Sequence, residues 1–281
     1  MLKPLRHPIR FRLFGLLVLA GCPAQVRLDA EGSDKRYQLG VDYFGKGLVA
    51  PALEELLKAV ELNPQNAEAR NVLGLVFLRK AAEREELATR AECLKGEEAK
   101  LERDEIDGQF RKAEEQFKQA IDLRKDFSEA FNNQAVVEMH FGHNDEAVKL
   151  EERALSNIIY REPYAAHGNL GLAYLNRHSK HDLTLGAQAL RQSLFEQPQF
   201  CVGRYRLAKI YYEQGEYAGA ATELEKVTGD SACPIQEAYH LAGLVALRRP
   251  QPDRELANKM FAHCVALAPK SCLAQECKLV H

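Results

Sequence analysis

Residues 33–66, SDKRYQLGVDYFGKGLVAPALEELLKAVELNPQN, place small and large apolar residues at spacings that return along the chain. Leu39-Gly40, Tyr43, Gly47, Ala52, Leu56, Ala59 and Pro64 mark the first unit. The second opens with Arg70, Leu73, Gly74 and Phe77 and closes with Ala113, Phe117 and Ala120. The third carries Phe131, Ala135, Gly142, Ala147 and Ala154, with Glu151 where an apolar residue is expected. The fourth has Leu170-Gly171, Tyr174, Gly186, Leu190, Ser193 and Pro198; the fifth has Leu207-Ala208, Tyr211, Gly215, Ala220 and Leu224. Gly243, Ala257, Phe261, Cys264 and Pro269 make the sixth. Such a chain stacks like units on one another and needs no single globular core.

The offsets resemble the 34-residue tetratricopeptide repeat (TPR), a pair of antiparallel helices, A and B. The resemblance implies an all-α, right-handed superhelix of about six repeats over 33–269. Within a repeat, Gly40 and Ala52 are small because the two helices cross closely there. Tyr43 and Leu56 fill the space beside the crossing, Ala59 admits the next repeat, and Pro64 stops helix B. Residues 270–281, KSCLAQECKLVH, restart the helix A pattern and stop, as expected of a capping helix that covers the last solenoid face.

Repeat 2 is interrupted. The stretch from Phe77 to Ala113 is 27 residues longer than the pattern allows. Its text consists of strong helix formers, with glycine only at 96 and 108. Both helices of the repeat are expected to lengthen over about 78–108 and to turn near Lys95-Gly96 as a projecting hairpin. Leu87, Leu94 and Leu101 recur every seven residues along it. The hairpin is read either as a solvated insertion or as a docking arm.

The amino terminus addresses the chain. Lys3, Arg6, Arg10 and Arg12 precede an apolar run from Leu13 to Ala20, and no acidic residue occurs before Asp29. This is the build of a secretory signal, too short to span a membrane. Leu19-Ala20-Gly21-Cys22 resembles the lipobox of bacterial lipoproteins, which implies cleavage before Cys22 and acylation of its thiol and new amino terminus. Several acyl chains anchor stably where one is marginal. Residues 1–21 are then a signal peptide and 22–32 a lipidated tether. Pro23, rather than aspartate, after the cysteine points to the outer membrane, with the repeats facing the periplasm. Losing four cations and no anion takes the net charge from −2 to −6. That balance argues against a nucleic-acid partner.

Six cysteines remain, in a compartment where disulfides persist. Six allow 15 pairings. Cys264 faces the next helix and Cys277 lies on it, while Cys233 and Cys272 stand at the starts of neighbouring first helices. The expected bridges are therefore Cys264–Cys277 and Cys233–Cys272; the other reading is buried thiols filling small positions. Catalytic signals are lacking. His140 and His143 share one A–B turn and His178 and His181 the next; adjacent repeats bring these turns near each other, so a four-His metal site is conceivable, but turns are polar in any case and solvated histidines are expected. The sequence has no phosphate loop, H-E-x-x-H or G-x-S-x-G. No enzyme, cofactor, metal or small-molecule substrate is expected.

Binding is what such a solenoid offers. In a TPR array the first helices line the concave face, which here brings Asn132, Asn133, Asn169, Asn176, Tyr205, Arg206, Lys209 and Tyr212 inward. Asn133, Asn169 and Arg206 hold one position in successive repeats. Asparagine satisfies both donor and acceptor of an extended peptide, and Arg206 and Lys209 suit a carboxylate. A lipobox followed by about six such repeats is similar to the pilotin lipoproteins of type IV pilus systems, the Tgl, PilF and PilW group. The resemblance implies an outer-membrane lipoprotein that helps a secretin, the pilus exit channel, to localise and assemble. The alternative is a general periplasmic scaffold that recruits a protease or a peptidoglycan enzyme.

Overall fold

The computed structural model describes residues 28–279. The signal sequence, Cys22 and the tether up to residue 27 lie outside the described residues. Thirteen α-helices and no strand occur among the described residues. Six antiparallel pairs follow one another: α1 (Ala30–Gly45) with α2 (Val49–Leu62), α3 (Ala67–Glu85) with α4 (Gly96–Leu123), α5 (Ser128–His140) with α6 (Asn144–Leu155), α7 (Pro163–Arg177) with α8 (Lys180–Glu196), α9 (Cys201–Glu213) with α10 (Tyr217–Thr228), and α11 (Gln236–Arg248) with α12 (Arg254–Leu267). A single helix, α13 (Cys272–Leu279), closes the array. Each helix packs on the one before it and the one after it, as a solenoid requires.

Helix α1 begins at Ala30 rather than at 33, because the Asp29 carboxylate accepts the Gly32 amide at 2.8 Å and caps the helix early. Asn66, Ser179 and Asp253 cap α3, α8 and α12 in the same way. The A–B turns of repeats 1, 3 and 5 carry Gly47, Gly142 and Gly215, with φ of +73°, +78° and +77°. Repeat 4 turns instead on His178 in the left-handed region.

One contact recurs inside each repeat. A glycine or alanine of the first helix lies under a large side chain of the second. A methyl group added at Gly40 would come within 2.6 Å of Leu56, at Gly74 within 2.4 Å of Phe117, at Gly171 within 2.4 Å of Leu190, and at Gly243 within 2.5 Å of Phe261. All four large side chains are fully buried. Helix α13 buries Ala274 and Cys277 at the end of the array, with Cys277 packed in the cluster of Ala246, Phe261 and Cys264. It is the expected cap.

Gly171→Ala is expected to lower stability by about 1–3 kcal/mol, the usual cost of forcing a methyl into a filled core. Gly108→Ala is the control. It lies in α4 with open space around it, and should raise stability by about 0.5–1 kcal/mol by removing a helix-interior glycine. Thermal melts followed by circular dichroism read both.

Candidate functional site

The polar residues of the first helices are brought together, but they bond to one another. Asn133 Nδ2 donates to Asn71 Oδ1 at 3.0 Å, and Asn169 Nδ2 donates to Asn132 Oδ1 at 3.0 Å. Arg206 Nη1 donates to the Gly168 carbonyl at 3.0 Å and to Asn169 Oδ1 at 3.2 Å. In each step the donor holds one repeat position and bonds to the residue one place earlier in the preceding repeat, Asn71, Asn132 or Gly168; Arg206 also reaches Asn169, its own counterpart. These side chains form a ladder that sets the register of α3, α5, α7 and α9. Asn132, Asn133, Asn169 and Arg206, expected to face a peptide, each give one polar group or more to a neighbouring helix. Asn176 donates to Asn144 Oδ1 at 3.2 Å, Tyr212 meets the Tyr217 ring edge-on, and Tyr205 is half-buried, its phenol pushed up to about 12 by burial. Lys209 stays exposed.

Beneath the ladder sits Glu151. It occupies the place held by Leu56, Phe117, Leu190, Leu224 and Phe261 in the other repeats, and it is 0% exposed. Neither carboxylate oxygen meets a hydrogen-bond donor in good geometry. Burial drives its carboxyl well above the ordinary carboxylate range, while the Asn169 amide and the Arg206 guanidinium pull the other way. Arg206 is the matching cation. Burial lowers it to about 10, and Glu151 holds it up. It still carries its charge at neutral pH, within electrostatic reach of the buried Glu151 carboxyl.

The insertion forms the expected hairpin, with a more specific role. Helix α3 continues into a π-helical turn, Glu86–Ala91, and the chain reverses through Cys93 (φ 49°) and Gly96 (φ 60°) into α4. Arg84 pairs with Glu102 at 2.8 Å across the hairpin, and Ala81, Ala88 and Ile106 are buried along it. Leu87 and Leu101 are 50% and 64% exposed, so the seven-residue leucine spacing makes no continuous seam. At the base, the Phe110 ring stacks on His140 at 3.6 Å, and His140 Nε2 lies 2.8 Å from Asp107. At the tip, the arm meets the far end of the solenoid. Cys93 is disulfide-bonded to Cys272 with Cα atoms 4.7 Å apart, Lys95 Nζ donates to Gln275 Oε1 at 2.9 Å, and Arg90 lies 3.6 Å from Glu237. Repeat 2 is thus tied across 179 residues to the cap.

The remaining cysteines pair as Cys264–Cys277 and Cys201–Cys233. The expected Cys233–Cys272 bridge is replaced. Cys233 lies in the loop before α11 and reaches back one repeat to the start of α9, and the arm tip takes Cys272. On a chain-entropy model each bridge contributes roughly 3–5 kcal/mol by restricting the unfolded chain. The histidines go separate ways: His140 to the arm, His143 to Glu138 at 2.9 Å, and His178 towards Glu213 at 3.8 Å. Among the described residues one group has metal-ligand spacing, Cys201, Asp230 and Cys233, and its two thiols are joined as a disulfide.

Two stretches, 37–94 and 107–162, match the family model for the tetratricopeptide repeat. The fold is a tetratricopeptide-repeat solenoid. The break between the two matches falls on Lys95 and the first part of α4, within the arm. The solenoid is similar to the crystal structure of PilW, described as a widely conserved type IV pilus biogenesis factor. The two share 20% identity and a TM-score of 0.67 over 87% of this chain and 97% of that one. It is also similar to PilF of Pseudomonas aeruginosa, at 21% identity and a TM-score of 0.62 over 89% and 98%. YrrB, a TPR protein with an unusual peptide-binding site, matches at 16% identity and a TM-score of 0.50 over 79% and 97%. No curated protein matches by sequence. At these identities the likeness is one of fold.

Glu151→Gln is neutral at every pH and tests the buried carboxyl. A folded-state pKa raised above the unfolded value means that the folded chain holds its proton longer, so stability falls as pH rises beyond the ordinary carboxylate range. The variant should therefore melt higher than the wild type at pH 8, and the gap should close as pH falls towards 4. Each unit of raised pKa corresponds to about 1.4 kcal/mol. A variant that melts lower at pH 8 would show instead that Arg206 requires a carboxylate partner.

Proposed function

We propose that this chain is a non-catalytic, outer-membrane lipoprotein adaptor of the pilotin kind, held by lipid at Cys22 and binding the type IV pilus secretin through its TPR surface. The observation that carries the reading is a pairing: a lipobox at residues 19–22, and a solenoid similar to PilW and PilF over 97% and 98% of those chains. Among the described residues no helix is long and apolar enough to cross a membrane. Attachment falls to the lipid.

The work of such an adaptor is capture and placement. The lipid concentrates the solenoid at the membrane, and the solenoid offers surface to a partner that must reach the same membrane. Because the first-helix ladder bonds internally, the partner contact falls on surface that the ladder leaves free. A groove of about 450 Å³ between α10, α11 and α12 has Leu224, Val245, Leu256 and Met260 on its walls and Lys259, Arg249 and Glu225 at its rim. It suits an extended segment with apolar side chains.

Deleting the gene in a piliated host is expected to abolish heat-resistant secretin multimers and surface pili while secretin monomer remains. Immunoblots of boiled and unboiled envelopes read this directly. Normal multimers with failing cell shape or envelope integrity would instead favour the general scaffold that recruits a protease or a peptidoglycan enzyme.

A further inference from the structure

The solenoid has two long edges, one made of A–B turns and the other of the loops that join repeats. A chain of contacts traces the loop edge. The Asp29 amide bonds to the Leu62 carbonyl at 3.0 Å, Asn66 reaches Asp34, Arg124 pairs with Glu68, Asn157 Nδ2 bonds to the Asp126 carbonyl at 3.3 Å, and Tyr164 packs edge-on against Phe200. The described chain therefore begins on this edge, at Leu28.

The same edge exposes large apolar side chains. Ile158 is 97% exposed, Ile159 79% and Phe195 81%, and Leu28 and Leu123 are also exposed. The two isoleucines are held outward by an ordered loop. The Ile159 amide donates to Asn157 Oδ1 at 3.2 Å, the Tyr160 amide donates to the Asn157 carbonyl at 3.0 Å, and the Tyr160 ring is buried in the core of repeats 3 and 4. The loop spans 156–162, against 197–200 for the next joint, and so is three residues longer. Single exposed apolar residues are ordinary, but two adjacent isoleucines pinned into water, with an exposed phenylalanine on the same edge, ask for a cover.

We infer that the loop edge at repeats 3 and 4 is a lipid-facing surface, on which Ile158, Ile159 and Phe195 enter the headgroup–acyl boundary of the membrane that holds the anchor. The tether supplies the argument for lipid. Between Cys22 and Leu28 there are five residues, and an extended chain gains at most about 3.3–3.6 Å per residue. A lipid at Cys22 thus keeps Leu28, at the repeat 1 end of this edge, within roughly 20 Å of the bilayer. The inference rests on the lipid-anchor reading. It adds an orientation: loop edge down, A–B turns away from the membrane.

The chain contains no tryptophan, so one introduced residue is a clean reporter. Ile158→Trp reports the loop edge and Leu48→Trp the exposed A–B turn edge of repeat 1. Each full-length, processed protein is reconstituted with phosphatidylethanolamine–phosphatidylglycerol vesicles carrying brominated phosphatidylcholine, and the acyl content of its amino-terminal peptide is read by mass spectrometry. Position 158 should shift its emission to the blue and lose about half its intensity or more when bromine lies at the ~5–10 Å depth that interfacial side chains reach. Position 48 should do neither. Acylated protein that floats with vesicles while position 158 stays unquenched would overturn the inference, leave the anchor standing and give the isoleucines to a protein partner. Quenching at 48 but not at 158 would overturn it by inverting the orientation. Protein with no acyl groups that fails to float would overturn the anchor and this inference together.

Discussion

Each repeat depends on a small residue of its first helix lying beneath a large residue of its second. Gly40 under Leu56, Gly74 under Phe117, Gly171 under Leu190 and Gly243 under Phe261 leave no room for even a methyl group. The contact brings two backbones together and buries the large side chain completely, which truncation to alanine would forfeit at about 2–5 kcal/mol. A close crossing in every pair makes every pair the same shape. Stacking like shapes then gives the superhelix, its two edges and its terminal faces.

Repeat 3 tests how far that rule bends. Its small residue is Ala135 and its large one is Glu151, a carboxyl in an apolar place. The polar ladder above it follows from the same geometry. Where close stacking takes first-helix amides and the Arg206 guanidinium out of water, they find partners on the neighbouring helix. Register between repeats is thus set twice, by shape at the crossings and by hydrogen bonds along α3, α5, α7 and α9.

The repeat unit, the hairpin and the cap were legible because they rest on local patterns. Glycine, aromatic, alanine and proline recur at fixed offsets, and residues 78–108 are helix-forming with a turn at Gly96. The Cys264–Cys277 pair could also be read, since neighbouring helices bring those positions together. Long-range outcomes were not legible in this way. Cys93 stands in a charged insertion, and nothing near it in sequence points 179 residues ahead to Cys272. A lone cysteine in an otherwise solvated arm was the signal for a distant partner. The bonds of Asn133, Asn169 and Arg206 to the preceding repeat were not legible for a related reason: a shared repeat position shows that side chains align, not what they bond to.

The arm changes what the solenoid is. Repeat arrays flex because each unit touches only its neighbours. Here the hairpin of repeat 2 reaches the cap through Cys93–Cys272, Lys95–Gln275 and Arg90–Glu237, so that four intervening repeats are held at both ends. A closed array presents a fixed surface to its partner and loses less freedom on binding than an open one. The most direct test is peptide mapping of the native, unreduced protein by mass spectrometry. Linked peptides joining Cys93 to Cys272, Cys201 to Cys233 and Cys264 to Cys277 are the predicted result; a Cys233–Cys272 link, or Cys93 recovered as a free thiol, would contradict the closed array.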